Sequence, residues 1–317
     1  MNASPLTIGL NPSPYTQALF DGSVRPEGIG LQLQSRFGEG LDNVGARHRA
    51  IIAGELDGGE LSISSFILAR LRGVALRALP VFLSRRFRLR CMYCRADSPV
   101  QHPSELAGRS ATVHRYNATT PVWLKGILQN EFGVKPKDIE WYVAEPDIAE
   151  ESLRPPPSDV RVNFIPAPRT REHAVTMVER GEIEAALEPY HDNPKMRYLM
   201  RDFRQAEESF FRRTGAYTVN HLFALREETV KEHPTVVKNL FAALKEANSL
   251  ADRYRDEKQK SEAAWERQVM GEEFLYSLKK GCARTSLDTL MEYQVQQGIL
   301  DQKPKIEDLF FPESFDD

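Results

Sequence analysis

The sequence lacks a charge excess of either sign, a long apolar run and a secretory signal pattern. Its 317 residues carry 42 basic and 45 acidic side chains, which leaves a net charge of −3. A nucleic-acid or membrane-surface protein would show a clear basic excess. No segment approaches the roughly 18–20 consecutive apolar residues of a transmembrane helix, and the first ten residues resemble no secretory signal. We therefore expect a cytoplasmic protein that binds neither nucleic acid nor a membrane.

Cysteine is also scarce, with three residues in the chain. Cys91 and Cys94 have CxxC spacing, but neither a second CxxC nor a matching pair of histidines accompanies them, so a zinc site is not indicated. We predict that Phe87 to Arg95 is a strand, in which residues three apart point to opposite faces. This favours packing over redox chemistry. The histidines show neither HxxxH nor HxH spacing, and we expect no metal and no cofactor.

Strand and helix patterns alternate through most of the chain, and the end is mainly helical. Short apolar strands are predicted at Leu6 to Leu10, Glu60 to Ile63 and Tyr217 to Leu225, and a long helix from Pro234 to about Arg255. This order predicts an α/β fold. The length is sufficient for about two domains and a substantial core.

Two segments place hydroxyl residues directly before a helical pattern. These are Ser64 or Ser65 before a helix from Phe66 to Arg72, and Thr119 or Thr120 before a helix with Pro121 at its first position. Serine and threonine are typical caps, and proline suits the first helical position. A helix start attracts anions through its backbone N–H groups and the positive end of its dipole.

Arginines lie between these two segments. Arg86 and Arg88 are two residues apart, so on the predicted strand they would share one face. A guanidinium group matches a carboxylate with a planar fork of donors. The alternative is an ordinary solvated basic strand. Together with the helix starts, the arginines predict a site for a small anion.

Several short motifs follow one another in an order that covers nearly the whole chain. They are Glu60-Leu61-Ser62; Pro80-Val81-Phe82 with Arg86-Phe87-Arg88; Pro103 with Glu105 to Arg109; Tyr116 to Trp123 with Gly126-Ile127-Leu128; Tyr217 to His221 with His233-Pro234; and Gln297 to Leu300 with Asp308 to Phe310. This order resembles the 4,5-dihydroxyphthalate decarboxylase-like family of the periplasmic-binding-protein type 2-like superfamily.

The resemblance implies two α/β lobes with a ligand cleft between them. Residues 1–95 and 220–317 would form a discontinuous first lobe, and residues 96–219 an inserted second lobe, with hinge strands near 87–95 and 217–225. Open α/β sheets bind ligands beyond the carboxyl ends of their strands. One departure is Tyr217-Thr218-Val219-Asn220, where the family has a Pro-Ile or Pro-Met stretch before the histidine. The departure concerns the substrate more than the fold.

Within this resemblance, His221 is the candidate for proton transfer, since histidine exchanges protons near neutral pH. Its alternative is an interior histidine held by hydrogen bonds. Glu60 is a second candidate acid or base, and its alternative is an ion pair with an arginine. The predicted substrate-binding residues are Arg86, Arg88, Ser62, Ser64, Tyr116, Thr119, Thr120, Trp123 and Glu188. For the hydroxyl residues ordinary capping, and for the aromatic residues core packing, is the alternative.

The function implied is the cofactor-independent decarboxylation of an aromatic dicarboxylate resembling 4,5-dihydroxyphthalate. The partner would be a small aromatic or carboxylate anion, and a homo-oligomer is compatible with the sequence. Two alternatives stay open. One is the solute-binding component of an ABC transporter for an aromatic or sulfonated anion, because the same fold serves both functions. The other is a ligand sensor or a biosynthetic enzyme on this fold.

Overall fold

The computed structural model describes residues 4–37, 43–146, 155–187, 193–271, 276–279 and 281–315. The chain forms two compact units. The first contains residues 1–86, 219–285 and 304–317, and the second contains residues 87–218 and 286–303. Each unit has its own β-sheet.

The described elements alternate between strands and helices and become helical toward the end. The strands are β1 Leu6–Gly9, β2 Leu31–Gln34, β3 Gly58–Ser62, β4 Leu76–Arg85, β5 Met92–Arg95, β6 Ser110–Val113, β7 Glu140–Val143, β8 Val162–Phe164, β9 Ala185–Leu187, β10 Met196–Tyr198 and β11 Val219–Arg226. The helices are α1 Gln17–Phe20, α2 Asn43–Ala53, α3 Ile63–Leu71, α4 Thr119–Phe132, α5 Arg171–Glu179, α6 Phe203–Thr214, α7 Glu227–Glu232, α8 Val236–Ser249, α9 Glu257–Met270, α10 Cys282–Gln296 and α11 Ile306–Leu309. Among the described helices none is long and apolar enough to cross a membrane.

The first unit contains a five-stranded mixed sheet with the strand order β2-β1-β3-β11-β4. β1 runs parallel to β2 and β3, whereas β11 runs antiparallel to both β3 and β4. β1 and β3 approach closely at Gly59, whose φ is +147°, and a Cβ there would lie 2.0 Å from the Gly9 carbonyl oxygen. A side chain at this position is therefore excluded, and the glycine allows β3 to pair at the centre of the sheet.

The β11–β4 ladder is irregular around His221. Phe223 is opposite Leu79, but His221 is opposite Ser84, so the register shifts between these two pairs. It shifts a second time between His221 and Val219. Pro80 lies inside the shifted part of β4, where its missing N–H removes a ladder donor. Bulges re-aim side chains and are common beside active sites. The motif Pro80-Val81-Phe82 thus forms the irregular edge beside His221.

The second unit contains a six-stranded sheet with the order β10-β5-β9-β6-β7-β8. The strands from β9 to β8 are mutually parallel, and β5 runs antiparallel between β10 and β9. α4 is buried over ten consecutive residues from Thr119 to Leu128 and ends at Gly133, which is left-handed with a φ of 72° as a helix terminus favours. Gly126 of α4 faces the ring of Tyr293, since a Cβ at Gly126 would lie 2.0 Å from it.

The compact units and the predicted lobes share most of their residues. Residues 1–86 and 220–285 fall in one part and residues 96–218 in the other, in both descriptions. Residues 87–95 and 286–303 differ, because they pack with the second unit, and residue 219 differs because it packs with the first. The chain passes between the units after Arg86 and Thr218, at the predicted hinge strands, and again after Thr285 and Lys303. The lobe boundaries themselves stay a prediction.

One predicted strand was wrong in its first half. Residues 86–88 have no regular structure, Leu89–Cys91 forms a 3₁₀ turn, and the strand begins only at Met92. The strand before them, β4, ends at Arg85. The arginines therefore follow a strand instead of lying within one.

Candidate active site

The first unit brings Glu60 and His221 into direct contact. Glu60 lies on β3 opposite Phe223 of β11, and His221 lies opposite Ser62. The two side chains are therefore diagonal neighbours on one face of an antiparallel pair, within reach of each other. His221 Nδ1 lies 2.7 Å from Glu60 Oε1. Glu60 is buried, and the His221 side chain keeps 14% of its surface exposed.

The other carboxylate oxygen of Glu60 is held from a different direction. The backbone N–H of Asn11 donates to Glu60 Oε2 at 3.2 Å, and Arg47 Nη2 of α2 lies 3.6 Å from the same oxygen. Arg47 has no exposed surface and donates through Nη1 to the side-chain oxygen of Asn11 at 2.8 Å. Asn11, Arg47 and Glu60 thus form a closed set of contacts behind His221.

These contacts determine the charge of Glu60. Burial by itself raises the pKa of a carboxyl group, but the hydrogen bond and charge of His221, the charge of Arg47 and the Asn11 N–H more than offset it. The pKa of Glu60 is consequently held below its ordinary value, and Glu60 is ionised at neutral pH. Burial lowers the pKa of Arg47, and the nearby Glu60 charge opposes that effect.

An ionised carboxylate accepts hydrogen bonds only, so the short contact assigns the Nδ1 proton to His221 as the donor. The opposite ring nitrogen, Nε2, is then the atom that accepts or donates a proton in chemistry. The contact with Glu60 also fixes the orientation of the ring and so the direction of Nε2. The pair can therefore exchange a proton with a ligand.

Sequence patterns did not identify the residues that support this pair. Arg47 and His48 lie on α2, and neither was selected from the sequence. The His48 ring meets the His221 ring edge-on, with centroids 5.1 Å apart. The sequence contains one signal here, the basic triplet Arg47-His48-Arg49. In the structure its first two residues are buried. Asn11 lies two residues after the end of β1 and belongs to none of the sequence motifs.

The predicted cap of α3 was wrong by two or three residues. Ser62 occupies the N-cap position, whereas Ser64 and Ser65 lie inside the helix and are fully buried. No loop separates β3 from α3, so the last residue of the strand, Ser62, is also the cap of the helix. Ser62 pairs with His221 across the sheet, which places it next to the candidate pair. Substrate contacts of Ser62 and Ser64 stay predictions.

The predicted cap of α4 was also misplaced. Ala118 is the N-cap, Thr119 and Thr120 are the first two helical residues, and Pro121 is the third. Both threonines are buried. Their place in the first turn is nevertheless the place where a helix presents N–H groups that lack intrahelical acceptors. The helix start remains a candidate anion-binding element of the second unit.

Tyr116 is fixed in front of this helix by Lys125. The Lys125 ammonium group is fully buried, donates to the Tyr116 carbonyl oxygen at 2.7 Å and lies 3.2 Å from the centre of the Tyr116 ring. The same ring meets Trp141 edge-on at 5.9 Å. Trp123 has no exposed surface and contacts Tyr293 edge-on at 5.6 Å. Both aromatic residues therefore take the core-packing role given as the alternative, and direct substrate contacts stay a prediction.

The two candidate arginines have different environments. Arg86 is exposed, whereas Arg88 is buried. Their expected common strand face was wrong, because residues 86–88 are not in a strand. A further buried arginine, Arg115, was not selected from the sequence; it pairs with Glu145 at 2.6 Å just after β6. Of the two predicted arginines, Arg86 is the exposed one.

The remaining candidates are Glu188, the two cysteines with CxxC spacing and possible metal ligands. Glu188 lies outside the described residues. Cys91 and Cys94 form no disulfide bond and are buried, and burial raises the pKa of the Cys94 thiol, as expected for packing. In the described part of the chain no group of three or more His, Cys, Asp or Glu side chains could hold a metal ion.

Two curated relatives share sequence with most of this chain. The 4,5-dihydroxyphthalate decarboxylase of Comamonas testosteroni is 28% identical over 262 residues, which cover 79% of this chain and 77% of the relative. The protein of the same name from Pseudomonas putida is 28% identical over 222 residues, covering 67% and 83%. This chain is similar to 4,5-dihydroxyphthalate decarboxylases. The resemblance predicted from the order of motifs is confirmed, although no protein-family model matches the chain.

Solved structures show the fold. The Escherichia coli periplasmic aliphatic sulphonate binding protein SsuA has a TM-score of 0.56 at 12% identity, with 98% of this chain and 92% of that chain covered. A DszB mutant in complex with biphenyl-2-sulfinic acid has a TM-score of 0.52 at 14% identity, covering 98% and 97%. The chain has the α/β fold of the periplasmic binding proteins, as predicted.

Proposed function

We propose that this protein is a carboxy-lyase that removes one carboxylate from an aromatic dicarboxylate resembling 4,5-dihydroxyphthalate. The observation that carries the proposal is the buried Glu60 in contact with the partly exposed His221. This pair provides the proton that the reaction consumes. Similarity to two decarboxylases over most of their length supports the choice of reaction.

The reaction proceeds from the imidazolium form of His221. The ring donates its Nε2 proton to the aromatic carbon that bears the leaving carboxylate, and a hydroxyl para to that carbon stabilises the resulting cation. The bond to the carboxylate then breaks, its electron pair restores aromaticity, and carbon dioxide leaves. One solvent proton replaces the proton consumed. With 4,5-dihydroxyphthalate the product is 3,4-dihydroxybenzoate.

Glu60 has a supporting role in this scheme. Its carboxylate accepts a hydrogen bond from the Nδ1–H of His221 at 2.7 Å, which fixes the orientation of the ring and of Nε2 before the transfer. A positioned general acid of this kind contributes about 10²- to 10⁴-fold to the rate.

Each unit offers one candidate element for an anion. In the first unit, Arg86 is exposed, and a guanidinium group presents a planar fork to a carboxylate such as the one that is retained. In the second unit, the start of α4 with Thr119 and Thr120 is the candidate, because a helix start favours an anion. The scheme requires no cofactor, and the partner is a small aromatic or carboxylate anion. We expect the enzyme to act in the cytoplasm.

A second candidate is a solute-binding protein that binds such an anion without transforming it. The observation in its favour is the fold shared with the sulphonate binding protein. Fold alone does not decide between binding and catalysis. A binding protein has no need for a buried carboxylate that orients a histidine for proton transfer, so the Glu60–His221 pair favours the enzyme.

The test measures carbon dioxide release from 4,5-dihydroxyphthalate by the purified protein, with and without a chelator, beside a calorimetric binding titration. The proposal predicts release together with equimolar 3,4-dihydroxybenzoate, unchanged by the chelator. Binding without release would support the solute-binding alternative. Neither binding nor release would contradict both candidates for this compound.

A further inference from the structure

Arg47 of α2 does not touch the substrate in the scheme above. It is fully buried in the first unit, and the aliphatic part of its side chain packs against Gly9 of β1. A Cβ on Gly9 would lie 2.9 Å from Arg47 Cγ, so the glycine provides the space for this part of the side chain. The absence of a side chain at Gly9 therefore allows Arg47 to pack against β1.

The guanidinium reaches its two partners with different atoms. Nη1 donates to Asn11 Oδ1 at 2.8 Å, whereas Nη2 lies 3.6 Å from Glu60 Oε2. The second distance is longer than a hydrogen bond, so Arg47 acts on Glu60 mainly through its charge. The charge interaction is strong because both side chains are buried, at 0% and 5% exposure.

We propose that Arg47 is a positioning residue for proton transfer: its buried charge keeps Glu60 ionised, and the ionised Glu60 keeps the Nδ1 proton on His221 and Nε2 available to the substrate. The proposal rests on the proposed function for its effect on turnover. Its structural part, the state of the Glu60–His221 pair, is independent of any substrate.

The Arg47 charge lowers the pKa of Glu60 together with the larger contributions of His221. Glu60 is buried, and burial by itself favours the neutral carboxyl. A neutral Glu60 would carry a proton of its own and could donate to Nδ1, which reverses the direction of the hydrogen bond and moves the ring proton to Nε2. The ring would then no longer donate through Nδ1 to Glu60.

Two titratable side chains on α2 contact the pair, Arg47 at Glu60 and His48 at the ring of His221. His48 meets that ring edge-on. The residue at position 48 is the same in all the Arg47 variants, so their comparison changes one titratable side chain only.

The test compares Arg47→Met, which removes the charge, with Arg47→Lys, which keeps it. Carbon-13 NMR of the Glu60 carboxyl and nitrogen-15 NMR of the His221 ring follow titration without substrate, with signals assigned by Glu60→Gln and His221→Asn. The pH dependence of carbon dioxide release is measured in parallel. Arg70→Met is the matched control, because Arg70 lies in the same unit but pairs with Glu227, at 3.1 Å.

We expect Arg47→Met to move the Glu60 titration and the acid limb of kcat/KM upward by about 1–3 pH units, the usual effect of a lost neighbouring charge. Arg47→Lys keeps the charge, so its Glu60 titration should stay close to that of wild type. Arg70→Met should cause no shift. Folded Arg47→Met with an unmoved Glu60 titration and unchanged His221 signals would overturn the proposal. If wild type releases no carbon dioxide, the proposed function fails while the NMR titration still decides the role of Arg47.

A milder variant covers the case in which Arg47→Met does not fold. Asn11→Ala removes the acceptor of Nη1 but leaves the backbone N–H that bonds Glu60. Its Glu60 titration should move in the same direction by a smaller amount. No movement in Asn11→Ala would count against the proposal.

Discussion

Glu60 and His221 are 161 positions apart in the sequence, yet their side chains meet at 2.7 Å because β3 and β11 are antiparallel neighbours. Glu60 is also an acceptor for the Asn11 N–H and a counter-charge for Arg47. One buried carboxylate therefore links β1, α2 and β11 to the ring that is proposed to transfer the proton.

Replacement of Glu60 by glutamine should destabilise the protein. Glu60→Gln leaves Arg47 buried without its counter-charge, and the loss of one partner of a buried pair costs about 3–5 kcal/mol. The control is Glu227→Gln, because Glu227 is 31% exposed in its pairs with Arg70 and Arg77; it should cost under about 1 kcal/mol. Urea unfolding at pH 7 measures both. Equal losses in the two variants would contradict the special role of Glu60.

The same variant has a defined pH dependence. The pKa of Glu60 is lower in the folded protein than its ordinary value of 4.5, so its contribution is fully present above that value. The contribution disappears as the pH falls through the folded pKa, below 4.5. The difference in unfolding free energy between wild type and Glu60→Gln should therefore shrink from pH 7 to pH 3. A constant difference would show that Glu60 is not ionised in the native state.

Arg86 should matter for binding more than for stability. Arg86→Ala removes an exposed guanidinium, and a hydrogen bond to a charged group is worth about 1.5–3 kcal/mol. We expect KM for the dicarboxylate to rise about 10- to 100-fold, with the unfolding free energy changed by under about 0.5 kcal/mol. Steady-state kinetics with Arg72→Ala as control, another exposed arginine of the first unit, separates a specific contact from a general loss of charge. Equal KM in both variants would remove Arg86 from the site.

A substitution at Gly126 tests how α4 packs against the ring of Tyr293. Gly126→Ala would place a Cβ 2.0 Å from the Tyr293 ring, and overpacking of this kind costs about 1–3 kcal/mol. The melting temperature should fall. In a Tyr293→Leu background the same change should cost less, because the clashing ring is gone. Additive losses in the double variant would refute the contact as the cause.

Patterns in the sequence were sufficient for the fold class and for the two chemical groups of the pair. The alternation of strands and helices and the order of motifs predicted the α/β fold of the periplasmic binding proteins, which the solved structures confirm. Glu60 and His221 were selected separately. Their contact depends on which strands become neighbours in the sheet, and such non-local pairing is not encoded in the local periodicity of either segment.

Errors arose where local rules compete. The helix α3 begins directly after β3, so Ser62 is the cap instead of Ser64 or Ser65. Arg86 and Arg88 fell in an apolar-basic alternation that resembles a strand, but β4 ends at Arg85 and a 3₁₀ turn follows. Arg47 was missed because a buried charge on an amphipathic helix has no periodic signature; only its tertiary partners, Asn11 and Glu60, reveal it.

The most direct test of the central claim is the single-turnover release of carbon dioxide from 4,5-dihydroxyphthalate by wild type and by His221→Ala. The substrate affinity of each is measured by titration. We predict release by wild type, a rate about 10²- to 10⁴-fold lower in the variant, and binding that is largely retained. Full-rate release by a folded His221→Ala would contradict the assignment of His221 as the proton donor.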